Sequence, residues 1–155
     1  MTAALRIAIG SDHRGDTIQN DLETHLTGLG HTVTVMGGRG EESRDYPDSA
    51  QLVGEAVASG SADRGILICG SGIGISIAAN KVTGVRAALV HNAHAAEMSR
   101  RHNNANVLCL GADVPHDDPV LTIVDRWLST EFEGGRHERR IDKMMALESN
   151  TPQQC

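Results

Sequence analysis

The segment Arg64-Gly-Ile-Leu-Ile-Cys-Gly-Ser-Gly-Ile-Gly-Ile-Ser-Ile-Ala-Ala-Asn-Lys81 leaves few ways for the chain to fold around it. It reads as an apolar strand ending at Cys69, a glycine-rich turn, and an apolar helix from about Gly74 to Lys81. Gly70, Gly72 and Gly74 remove the β-carbons that would hold a ligand away from the main chain. The start of the following helix adds N–H groups and the positive end of its dipole. Such a turn suits an anionic substrate or intermediate, and it stands beside Cys69, a nucleophile or base.

The same strand-then-helix order runs through the chain. Strands are expected at residues 6–10, 32–36, 66–69, 85–90 and 107–110, and helices at 14–29, 48–58, 74–81 and 93–101. Asp118-Pro119 reads as an N-cap with Pro at the first helical position. It would open a helix that buries Val120, Ile123, Val124, Trp127 and Leu128 and ends at Gly134-Gly135. A last helix spans 136–147. Strands alternating with helices predict right-handed crossovers, hence an α/β fold: a Rossmann-like three-layer α/β/α sandwich around a five-stranded parallel sheet. Ligands of such sheets bind beyond the carboxyl ends of the strands, which places Gly10–Gly15 and Cys69–Gly74 on one rim. One domain over residues 1–148 is expected, followed by a tail, 149–155.

Composition narrows the function. A net charge of −6 leaves no basic face to displace counterions from nucleic acid, and one Trp, one Tyr and one Phe supply no stacking platform. No apolar run approaches the roughly 20 residues that cross a bilayer, and the first ten residues lack a signal peptide's apolar stretch, so a cytoplasmic protein is expected. Cys69, Cys109 and Cys155 are widely spaced, which fits reduced thiols rather than a disulfide framework or a structural zinc site. The glycines do not complete Gly-x-Gly-x-x-Gly, since residue 75 is Ile, and no nucleoside-triphosphate loop is present.

Taken singly, the candidate residues also have structural readings. Asp12 can be a helix cap and His13 a surface histidine; Cys69 can be an inert buried thiol, as Cys109 is expected to be. His102 closes a helix, where a histidine complements the dipole, and Arg136 and Arg140, four apart, can be a solvated face or a phosphate clamp. A cluster of cations at the start of the last helix opposes the dipole, which fits either a face turned to solvent or a site awaiting an anion.

Together, Gly10-Ser-Asp-His-Arg-Gly15, Asp45-Tyr-Pro-Asp48, Ile66 to Lys81, Gly84-Val-Arg-Ala-Ala88, Ser99-Arg-Arg-His-Asn103, Asn106-Val-Leu108 and Glu133-Gly-Gly-Arg-His137 resemble the type B ribose-5-phosphate isomerase family, which includes the galactose-6-phosphate isomerase subunits. The resemblance covers Ile7 to about Arg140. It implies an aldose–ketose isomerase acting on a phosphorylated sugar without metal or organic cofactor, built as a homodimer or homotetramer with sites shared between subunits. It further implies that Cys69 moves a proton between C1 and C2, while Ser71 and the amides of Gly70, Ser71, Gly72, Ile73 and Gly74 hold the enediolate. His102 would assist ring opening, Asp12, His13, Tyr46 and Asn103 would contact the sugar or its phosphate, and Arg136 and Arg140 would bind phosphate. Related sugars remain as alternative substrates, and a non-catalytic sugar-phosphate module as an alternative role. Two departures stand out: Ser71 where many members carry Thr, and Asp113 where the family commonly has an arginine that binds phosphate. A carboxylate at 113 would repel a dianion unless another cation compensates.

Overall fold

Period-two alternation along the strands sorts the core into two faces. In the computed structural model, which describes residues 3–40 and 42–150, β1 (Arg6–Ser11), β2 (Thr32–Met36), β3 (Arg64–Cys69), β4 (Ala87–Leu89) and β5 (Val107–Gly111) form one parallel sheet in the order β2-β1-β3-β5-β4. Ile7, Ile9, Ile66, Ile68, Leu108 and Leu110 point to one side. There they meet Leu22 and Leu26 of α1 (Asp16–Gly28), Ala96 of α4 (Ala93–Arg101) and Ile123, Val124 and Trp127 of α5 (Val120–Ser129). Ala8, Leu67, Cys69, Val107 and Cys109 point to the other, against α2 (Tyr46–Ala58) and α3 (Ile73–Ala79). This is the expected three-layer α/β/α arrangement, with side chains alternating between two dry interfaces.

Several boundaries differ from the sequence reading, each for a local reason. The Asp118 carboxylate does not cap its own helix; it accepts from the Ala93 N–H at 2.8 Å, at the start of α4, and Pro119 takes the N-cap position of α5. Helix α5 stops at Ser129, short of Gly134-Gly135, where the Thr130 hydroxyl turns back to the Arg126 carbonyl at 2.6 Å and the backbone becomes extended. Val120 and Leu128 are only partly buried. Helix α2 begins at Tyr46 rather than Asp48, with Pro47 in its first turn, where a missing N–H costs nothing. The chain after β1 makes a 3₁₀ turn, His13–Gly15, before α1.

Strand β4 is three residues long instead of the expected six. Arg86, before it, gives its N–H to the side-chain carbonyl of Asn106 at 2.7 Å, while Ala87 is bracketed by Asn80. Helix α6 (Arg136–Ala146) lies near this edge, where Arg86 Nη1 reaches Met145 Sδ at 3.7 Å. A 3₁₀ turn, Leu147–Asn150, follows α6; of the segment expected as a tail, residues 151–155 lie outside the described residues. Among the described residues no helix is long and apolar enough to cross a membrane.

Candidate active site

The order β2-β1-β3 makes the gap between β1 and β3 the point where the chain's winding reverses, and both loops singled out in the sequence leave the sheet there. They are tied together: the Asp12 N–H donates to the Ile68 carbonyl at 3.1 Å. Asp12 adopts the capping role. Its Oδ1 accepts from the Arg14 and Gly15 N–H groups at 2.9 and 3.2 Å, leaving His13 and Arg14 exposed on the rim.

Cys69, the last residue of β3, faces the α2/α3 layer because alternation from Leu67 puts it there, and it is 4% exposed. The Gly72 N–H donates to its Sγ at 3.2 Å. Gly72 has φ +77°, and a methyl placed there would come within 2.5 Å of Leu89 Cδ1 and 2.9 Å of the Leu110 carbonyl carbon, so the turn requires glycine. The Ser71 hydroxyl accepts from the Ile73 N–H at 3.1 Å, which leaves its own O–H free to donate. Tyr46, at the start of α2, leans over this turn; a β-carbon on Gly74 would lie 2.6 Å from its ring. Cys109 differs from Cys69: it sits inside β5, fully buried, and desolvation pushes its thiol well above the usual cysteine range.

Asp113 extends the rim beyond β5. Its N–H donates to the Gly70 carbonyl at 2.9 Å, and its carboxylate receives Arg14 Nε at 2.7 Å. The carboxylate that was expected to repel a dianion is therefore paired with a cation from the first loop. The guanidinium's hydrogen bond holds Asp113 below the ordinary carboxylate range.

His102, Asn103, Arg136 and Arg140 are not part of this rim. Helix α4 starts after the carboxyl end of β4 and runs back, so its C-terminus reaches the opposite edge of the sheet. There Arg86, before β4, donates to the carbonyls of Asn103 and Asn104 at 3.2 and 2.9 Å. The length of β5, roughly 16 Å at 3.3 Å per residue, separates this edge from Cys69. One chain brings Cys69, Ser71, Asp12, His13 and Tyr46 together and holds His102, Asn103, Arg136 and Arg140 apart from them.

This second cluster contains two residues, the ends of the Glu133–His137 block, to which the sequence reading assigned no role. The His137 ring, buried, stacks on His102 with centroids 4.2 Å apart and planes 11° from parallel. Glu133 presents Oε2 to both, 3.8 Å from His102 Nε2 and 3.5 Å from His137 Nε2, while Arg101 holds its Oε1. Burial, then the neighbouring His102 and Arg136, hold the His137 imidazole below its usual range, so it favours the neutral form. The three side chains His102, Glu133 and His137 are the group of described residues that could hold a metal ion. The i, i+4 spacing of Glu133 and His137 was the available signal, hidden because Gly134-Gly135 breaks any helix between them. Arg136 and Arg140, at the start of α6, are exposed.

Comparisons with known proteins agree with the geometry. The family model described as Ribose/Galactose Isomerase matches residues 7–144. Ribose-5-phosphate isomerase B of Escherichia coli is 44% identical over 143 residues, covering 92% of this chain and 96% of that protein. A ribose-5-phosphate isomerase B structure from Clostridium thermocellum superposes with a TM-score of 0.91 at 51% identity, covering 94% and 98% of the two chains. One from Mycoplasma genitalium with bound ribulose-5-phosphate gives 0.90 at 44% identity, covering 97% and 100%. The chain belongs to the ribose/galactose isomerase family and is an aldose–ketose isomerase.

Proposed function

We propose that this chain interconverts ribose 5-phosphate and ribulose 5-phosphate through a cis-enediolate. Cys69 takes the proton from C2 of the open-chain aldose and returns it to C1, while the proton of the C2 hydroxyl passes to the C1 oxygen. The observation that carries the reading is the Cys69 thiol beneath the Gly70–Gly74 turn at the winding reversal of the sheet. Two features support it: the family to which the chain belongs, and the relative from Mycoplasma genitalium with bound ribulose-5-phosphate.

Removing a proton next to a carbonyl concentrates charge on oxygen. Ser71 O–H and the turn amides would receive that charge, each preorganised donor worth about 3 kcal/mol in the transition state. Asp12, His13, Tyr46 and Asn103 would contact the sugar or its phosphate, and Arg136 and Arg140 would bind phosphate. Because His102 and the two arginines stand at the opposite edge of the same chain, the complete site takes Cys69 from one subunit and His102, Asn103, Arg136 and Arg140 from another. The assembly is a homodimer or a homotetramer of such pairs, working in the cytoplasm.

Isomerisation assays on ribose 5-phosphate, allose 6-phosphate, galactose 6-phosphate and unphosphorylated pentoses test the assignment. Highest kcat/KM on ribose 5-phosphate is expected. Equal turnover of the unphosphorylated sugars would contradict it.

A further inference from the structure

The rim that carries Cys69 has its own cation, Arg14, and the structure prepares it for a ligand. Its backbone is pinned at the base of the side chain, where the Arg14 N–H donates to Asp12 Oδ1 at 2.9 Å. The side chain then crosses the glycine turn: Cγ lies 3.9 Å from the place a β-carbon on Gly70 would occupy. Asp113 receives Nε at 2.7 Å and no other nitrogen of the guanidinium. Nη1 and Nη2, the two groups that grip an anion in fork geometry, have no hydrogen-bond acceptor among the described residues, and the side chain is 57% exposed.

The other arginines near this loop are committed elsewhere. Arg39 binds Asn20 and Glu23. Arg44, with its side chain only 12% exposed, gives Nη1 to the Gly40 carbonyl and Nη2 to the Asp12 carbonyl and Asp16. Arg136 and Arg140 of the same chain lie at the far edge of the sheet. A substrate with its reacting carbons at Cys69 therefore meets Arg14 as the free guanidinium of that chain's rim.

We propose that Arg14, braced against Asp113, binds the phosphate end of the substrate and sets the preference for phosphorylated over unphosphorylated sugars. The proposal rests on the sugar-phosphate reading above and adds a residue to it. Fixing the residue at its backbone N–H and at Nε before the ligand arrives lowers the entropy lost on binding. Asp113 takes part of the positive charge, which makes the recognition geometric as much as electrostatic.

Arg14→Leu decides it, through ribose 5-phosphate kinetics and calorimetric titration with inorganic phosphate. Loss of one charge-assisted fork predicts a KM raised about tenfold or more, with the loss carried by KM rather than kcat, and a matching rise in the phosphate Kd. An unchanged KM and phosphate Kd would overturn the proposal. So would a raised KM with the phosphate Kd unchanged, since Arg14 would then act on something other than the anion. If the wild-type protein fails to isomerise ribose 5-phosphate, the sugar-phosphate reading falls, while the phosphate titration still judges Arg14 by itself.

Discussion

The Gly72 N–H donates to Cys69 Sγ at 3.2 Å, so the glycine turn holds the sulfur in place before any substrate binds. Cys69→Ala removes the proposed base without adding volume to the buried cluster it shares with Leu67, Ile75 and Ala79. Isomerisation should fall at least a thousandfold, while the phosphate Kd changes less than twofold. Progress curves followed by ketose formation, with calorimetry alongside, check both halves.

Gly72→Ala forces a β-carbon into a left-handed residue and against Leu89 and the main chain of Leu110. Backbone strain and overpacking together cost about 3 kcal/mol, and the turn that faces Cys69 would shift. Chemical denaturation should show that loss of stability, and kcat should fall with it. A variant as stable as wild type would contradict the tight fit of this turn.

Asp63 ties the starts of β1 and β3 together: it accepts from Arg6 N–H at 2.8 Å, Arg6 Nε at 3.2 Å and Arg6 Nη2 at 2.7 Å. These bonds lower its pKa from the ordinary carboxylate value to about 2. A depressed folded pKa stabilises the protein above the unfolded value near pH 4, and that stability is lost as pH falls through 2. The pair is solvent-accessible, so Asp63→Asn should cost about 1 kcal/mol at neutral pH. The difference from wild type should vanish near pH 2 in denaturant titrations.

Much of this architecture is written in local pattern. The run from Arg64 to Lys81 carries its strand, turn and helix in consecutive residues, and alternation through Leu67 and Cys69 fixes which face the thiol takes. Partnerships across long stretches of chain were not legible. Asp113 meets Arg14 across 99 residues, and the Asp118 carboxylate serves a helix start 25 residues before it. Neither has a local signature, because an aspartate before a proline looks like a cap whichever helix it serves. The stacking of His137 on His102 and the convergence of Glu133 are tertiary for the same reason. Short β4 was hidden because Asn80, a side chain outside the strand, takes both the N–H and the carbonyl of Ala87 at 2.9 Å.

The central claim is that Cys69 of one subunit works with His102 of another, and subunit complementation tests it most directly. Cys69→Ala and His102→Ala are each expected to be inactive as homo-oligomers. When the two are unfolded together and refolded as a mixture, half the dimers are mixed, and each mixed dimer rebuilds one wild-type site of two. The mixture should therefore recover about a quarter of wild-type activity under two-fold symmetry. No recovery, with mixed dimers confirmed by mass spectrometry, would place both residues in one subunit's site and contradict the account.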